Sequence, residues 1–315
     1  MGAARLAWKL QRWELATLIA FVVGLIVALV VIGWRMEQIQ AAAPECWPLD
    51  TDAPVPATML DTCGASFQAH SALRDIGAYA AVGSTLAPFL LGVVLGPPLV
   101  GREIEGRTAG IAWTLSRSRR RWLALRAGPV VGLVLVATVL IGLAGTALAR
   151  QLAGGEPSFG SLVTPLPLLI ARGALALAIG LLAGVVVGRT FPAVLATALA
   201  VALLMAGTSI GFDAWMAAEA RPIPQFGNMA GDSNIYKTGL RDHSSGEVIT
   251  LQQYFTSHDV DETADLPPSG MTLVAWRIPA ADYPVWLWRE TAALSAVTIA
   301  MAALFVRATR RRVPG

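Results

Sequence analysis

Glu103 and Arg107 stand four residues apart in the stretch Gly101-Arg102-Glu103-Ile104-Glu105-Gly106-Arg107-Thr108. On a helix that spacing brings a carboxylate and a guanidinium together on one face. Gly106 permits a sharp turn. The chain then presents Trp113 among Thr, Ser and Arg before the basic run Arg119-Arg120-Arg121-Trp122. A short amphipathic helix, reached by a bend and left by a run of arginines, is a lever: a partner pressing on it tilts the segments on either side. From the residues alone, a basic loop held by anionic lipid is an equal alternative. What is missing also matters. There is no Gly-x-x-x-x-Gly-Lys-Ser/Thr phosphate loop, no His-Glu-x-x-His and no Cys/His metal spacing, so ATP cannot be bound in the phosphate-loop manner. No nucleophile–base or metal constellation marks an enzyme. If the chain moves something uphill, the energy must come from another subunit.

The elements that position this stretch are membrane spans. Apolar residues make up 55% of the chain and charged residues 14%, against about 25% charge in a soluble domain; the mean hydropathy is +0.59. Six apolar segments have the length a helix needs to cross a bilayer: 15–34, 77–100, 124–148, 164–187, 192–212 and 288–306. The expected fold is therefore an all-α polytopic membrane protein, one transmembrane domain over residues 1–315. The net charge of +3 conceals an asymmetry. Arg5, Lys9, Arg12, the arginines from Arg102 to Arg126, Arg189, and Arg307, Arg310, Arg311 and Arg312 fall on one side, with only Glu14, Glu103 and Glu105 as acids. The positive-inside rule makes that side cytoplasmic and places both termini there. A cleaved signal peptide ending near Ala41-Ala42-Ala43 is disfavoured, because the first apolar run exceeds the usual signal core.

Outside this basic side lie residues 35–76 and 213–287. The first segment holds Cys46 and Cys63, which an oxidising exterior allows to bridge. A bridge would close a loop of 16 intervening residues, worth about 3 kcal/mol; two free thiols are the alternative. Residues 4–14 divide into basic and apolar faces, as an interfacial helix or a simple cytoplasmic anchor does. Pro88, the Pro97-Pro98 pair and Gly128-Pro129 should distort their helices. Gly180-x-x-x-Gly184-x-x-x-Gly188 lets helices approach closely, within the chain in preference to a dimer seam. Arg172 lies about two turns into span four. It either belongs to a substrate pathway or snorkels to the outer headgroups. His258 with Asp259, Asp261, Glu262 and Asp265 matches no metal-loop spacing and reads as a solvated acidic turn. The spans hold almost no acids for a proton relay. No metal site is expected.

The run Gly96-Pro97-Pro98-Leu99-Val100-Gly101-Arg102-Glu103-Ile104-Glu105-Gly106-Arg107-Thr108, followed by Ala112-Trp113-Thr114-Leu115-Ser116 and Arg119-Arg120-Arg121-Trp122-Leu123, resembles the loop of actinobacterial ABC-2-type ABC transporter permeases. Tyr283-Pro284 through Trp288, Arg289 and Glu290, with the arginine-rich tail, is similar to the same family, with Arg289 where Gln is common. The layout of interfacial helix, six spans and a large loop before the last span also fits. The resemblance implies an ABCG-like exporter transmembrane domain that pairs with a second permease, as homodimer or heterodimer, on cytoplasmic ABC ATPase subunits. It implies that residues 101–123 are the coupling region, with the coupling helix near Glu103, Glu105, Gly106 and Thr108 seated on the ATPase. On that reading Glu103, Glu105 and Arg107, beside Arg102, are expected to transmit force, and Trp113 and Arg117 to shape the docking surface. ATP and Mg would be bound by the partner and no cofactor by this chain; lipid but no nucleic acid is an expected partner. Spans two and five would line an export route for a drug, lipid or natural product. The rival function is a plasma-membrane sensor that binds an extracytoplasmic ligand.

Overall fold

The structure, a computed structural model, describes residues 2–47, 57–106, 119–153, 164–224, 235–258 and 269–311. In a bilayer every backbone N–H and C=O must find a partner within its own segment, so long apolar segments become helices. They are α1 (Gly2–Ala42), α2 (Ala57–Glu105), α3 (Arg119–Ala153), α4 (Leu166–Val187) and α5 (Thr190–Glu219). A small sheet with the short helix α6 (Leu251–His258) follows, and then α7 (Tyr283–Arg311). Among the described residues six of these helices are long and apolar enough to cross a membrane. We call the end where α1 starts and α7 finishes the basic end, and the other the sheet end.

Two boundaries differ from the sequence reading. Residues 4–14 do not form a separate interfacial helix, because α1 runs unbroken from Gly2 to Ala42. No Gly, Pro or capping residue stands between Ala4 and Ala16, so nothing stops the helix once it has nucleated. Likewise α2 starts at Ala57 and carries through Pro88, Pro97 and Pro98, and α3 carries through Pro129. At about 1.5 Å per residue, α1 and α2 each far exceed the ~30 Å apolar core of a bilayer. Their ends at the sheet end are held by the Cys46–Cys63 disulfide, with the two Cα atoms 5.8 Å apart. Trp47 packs over His70 and Phe67 beside it, with ring centroids 4.6 and 5.4 Å away.

The centre of the bundle is α4, which packs against α2, α3, α5 and α7. Its tightest neighbour is α2, and glycine is the reason. A methyl carbon placed on Gly180 would stand 2.9 Å from the Gly92 carbonyl oxygen, and one on Gly184 2.6 Å from that of Pro97. Gly180 and Gly184 therefore form the expected seam, and it lies within the chain. Gly188 plays a different part: at φ 69° it ends α4 in the left-handed region, where glycine carries no steric penalty. Arg189 alone then separates it from α5. Leu91, Val134, Ile141, Leu177 and Val185 fill one core cluster; Phe89, Leu175, Val201 and Leu294 fill another. Apolar side chains such as Val27, Val30, Leu195, Leu199 and Leu203 face outward, as they do toward lipid.

The segment between α5 and α7 adds what the helical pattern did not contain. Strands β1 (Arg221–Pro224), β2 (Ile235–Asp242), β3 (Val248–Thr250) and β4 (Met271–Arg277) form an antiparallel sheet in the order β1-β4-β2-β3. Pro222 and Pro224 cannot donate to a ladder, and β1 accordingly lies at the sheet's edge,.

Candidate functional site

The basic end brings three pieces together: the last turn of α2, the tight α4–α5 turn and the start of α5. Arg102, Glu103 and Glu105 close α2, and the Gly106 N–H donates to the Arg102 carbonyl at 2.9 Å as the chain leaves the helix. The turn expected at Gly106 is where the helix stops. Arg107, Thr108, Trp113 and Arg117 lie outside the described residues, and with them the Glu103–Arg107 pair. Glu105 crosses to the next hairpin. Its Oε2 accepts the Thr190 backbone N–H at 3.0 Å and the Thr190 hydroxyl at 2.9 Å. Thr190 is the first residue of α5, whose own N-cap, Arg189, makes no side-chain cap bond. The carboxylate thus supplies the missing cap from another helix, and the positive end of the α5 dipole favours its charge. The entrance to residues 101–123 is therefore fastened to the head of span five.

Beside this bridge lies a groove of about 710 Å³ lined by α1, α2 and α5, with Val130 of α3. Phe21, Leu90, Val94 and Val194 give it an apolar wall; Arg102, Glu105 and Thr190 give it a polar end. An amphipathic molecule fits such a division: chain along the wall, polar group at the mouth.

Arg172 is not part of that groove. It lies at the sheet end, where its Nη2 donates to Glu290 Oε1 of α7 at 2.7 Å, the two side chains 19% and 21% exposed. Its Nη1 donates to the Thr164 hydroxyl at 3.4 Å, and Thr164 in turn to Thr85 at 3.2 Å. The sequence reading missed Glu290 as its partner, because the two residues are 118 apart and meet only when α4 packs on α7. Cys46 and Cys63 are bridged, as described above.

Gly207-Thr208-Ser209-Ile210-Gly211 spells Gly-x-Ser-x-Gly, but all five residues lie inside α5. The strand-to-helix elbow that exposes a nucleophilic serine is absent there. No group of three or more His, Cys, Asp or Glu residues placed to hold a metal occurs among the described residues. His258 bounds α6, and the acids from Asp259 to Asp265 lie outside the described residues.

A six-span helical bundle with arginine-rich connections at one end and a small sheet at the other is a multi-pass protein of the plasma membrane. The chain belongs to the family described as ABC-2 membrane transporter related, whose model matches residues 4–211. The match takes in α1 to most of α5, and with them the connecting loop, the Glu105–Thr190 bridge and the groove. In general terms the family is that of ABC transporter permeases: transport subunits that work with an ABC ATPase in a dimeric arrangement. No curated protein and no solved structure matches the chain.

Proposed function

We propose that the protein is the permease subunit of an ATP-driven exporter, paired with a second permease and seated by residues 101–123 on a separate cytoplasmic ATPase. The observation that carries this reading is the Glu105–Thr190 bridge. It joins the connection best suited to receive a push to span five, across the mouth of the groove. Arg102, Glu103, Glu105 and Gly106, with Arg107 and Thr108 beyond them, then transmit force. Trp113 and Arg117 belong to the docking surface. The concentration of arginine at this end supports its cytoplasmic placement. The greasy wall and polar mouth of the groove favour a hydrophobic or amphipathic cargo: a drug, a lipid or a natural product. ATP and Mg belong to the partner.

The test uses the protein with its membrane and partners intact. A phosphate-loop ATPase should co-purify with the chain. Glu103→Ala and Glu105→Ala should leave membrane abundance and bound ATPase unchanged, keep ATP hydrolysis and lower efflux at least tenfold. Normal efflux at normal abundance, or reaction of residues 101–123 with an impermeant label from outside the cell, would refute the reading.

A further inference from the structure

Two adjacent residues in the first turns of α7 reach in different directions with opposite charge. Glu290 bonds Arg172 of α4, as above. Arg289 reaches α5, where its Nη1 stands 3.2 and 3.4 Å from the carboxylate oxygens of Glu219, the last residue of that helix. The guanidinium also lies against two indoles, with Cζ 5.2 Å from the Trp215 ring centre and 4.9 Å from that of Trp286. Trp215 donates its Nε1–H to Glu219 at 2.7 Å and meets Trp286 edge to face at 5.0 Å. Trp288 is exposed, as an interfacial aromatic is; Trp286 is buried beneath this cluster.

We propose that the Arg289–Glu219–Trp215–Trp286 cluster is a releasable latch that closes the seam between α5 and α7 at the sheet end. The strengths of the two links set which side gives way. Arg172–Glu290 is about four-fifths buried and braced by Thr164. Arg289–Glu219 has its side chains 40% and 46% exposed, and an ion pair that wet holds weakly. Stacking on indoles adds attraction but no rigid geometry. So α7 stays with α4, and α5 is the helix that parts from them. The backbones of α5 and α7 approach each other far less than either approaches α4. The sheet limits the travel: Ala220 alone separates Glu219 from β1, and β1 pairs with β4 from Arg221↔Arg277 to Pro224↔Val274. The strand that follows α5 is thus bonded to the strand that leads into α7. The seam opens as a hinge under a tied end.

The two cysteines are bridged to each other, so one introduced cysteine is the sole reactive thiol. Val297 suits the purpose: it is half-buried about two turns inside Arg289, packed against the cluster that also holds Val201 of α5. In the full-length protein carrying Val297→Cys, a charged thiol reagent should react slowly. Adding Glu219→Gln or Arg289→Gln should raise the labelling rate at least fivefold at a temperature where all variants elute as folded protein. Arg289→Lys should keep it within twofold of the parent. Equal rates in the Gln and Lys variants would overturn the proposal, because a merely structural contact lowers the melting point without exposing the introduced thiol below it. The readout needs no nucleotide, so the latch and the ATP-driven reading stand or fall separately.

Discussion

The α2–α4 seam makes the sharpest stability prediction. A methyl carbon on Gly92 would stand 2.7 Å from both Ala176 Cβ and Leu177 N, and one on Gly184 2.6 Å from the Pro97 carbonyl oxygen. Carbon contacts normally settle at about 3.5–4.0 Å. Backbone and Cβ atoms have no rotamer to escape into, so Gly92→Ala or Gly184→Ala must push the two helices apart by roughly 1 Å, a gap that forfeits about a quarter to a half of the dispersion well along the seam. Overpacking of this kind costs about 1–3 kcal/mol. The opposing gain from replacing a helical glycine is about 0.5–1 kcal/mol and leaves a net loss. Gly24, Gly132 and Gly207 supply the control, because nothing lies within 4 Å of a methyl group on any of them; there only the propensity gain remains. Thermal midpoints in detergent, checked by equilibrium unfolding in mixed micelles, should fall for the first pair and hold or rise for the second set. If the seam and control variants melt alike, the close approach of α2 and α4 is wrong.

Three further outcomes follow from other contacts. Replacing Cys46 and Cys63 together by Ser should lower stability by about 3 kcal/mol, seen as a lower thermal midpoint that reductant no longer shifts. Arg172→Gln should cost about 2–3 kcal/mol, because it strands a largely buried carboxylate. Adding Glu290→Gln should return part of that loss, and a double variant as unstable as the sum of the singles would deny the coupling. At the β2–β3 hairpin the Ser244 hydroxyl and backbone N–H both donate to the Asp242 carboxylate at 2.7 Å, holding that carboxyl below the ordinary carboxylate range. A pKa lowered by folding contributes stability that is complete above the unfolded value, near 4, and is lost as pH falls through the lower native value. Amide exchange at Ser244 should therefore quicken, beyond its intrinsic pH trend, only below about pH 4, and Asp242→Asn should abolish that step.

The spans were legible because an apolar run of about 20 residues has few other physical fates, and the cysteine pair because both residues fall in one extramembrane stretch. The seam was legible too, since Gly180 and Gly184 declare close packing by spacing. What the sequence concealed lies at its boundaries and in its distant pairs. An interfacial helix at 4–14 looks separate on a charge pattern, yet nothing there breaks the backbone, and the helix continues. The sheet and α6 left weaker marks: the β-branched and aromatic run from Met271 to Arg277 for β4, and for the start of α6 Thr250 with Gln253, whose side chains cap each other's amides at 3.0 and 3.2 Å in a reciprocal box,. Against long apolar helices such short signals are easily passed over. Glu105–Thr190 is a pairing 85 residues apart and follows no local rule. Glu105 stood out for its place in the loop motif; its partner required the packing of α2 beside α5.

The helix that unites these features is α2. It carries Cys63 near its first turns and Glu105 at its last, so both ends are fastened, one to the α1 side and one to α5. Between them Pro88, Pro97 and Pro98 each remove an N–H from the ladder, leaving the helix weakest in hydrogen bonding along its middle and lower half. That is where Gly92, Gly96 and Pro97 press on α4, so neighbouring packing replaces what the ladder lacks. A displacement applied at Glu105 therefore cannot be absorbed by fraying at either end. It must be taken up by bending at the prolines or by sliding along the glycine seam. Gly96→Ala separates the two routes. Its added methyl would stand 2.9 Å from the Gly180 Cα and obstruct sliding while leaving every proline in place. Efflux lost at unchanged ATP hydrolysis assigns the motion to the seam; efflux kept in a folded variant assigns it to the prolines.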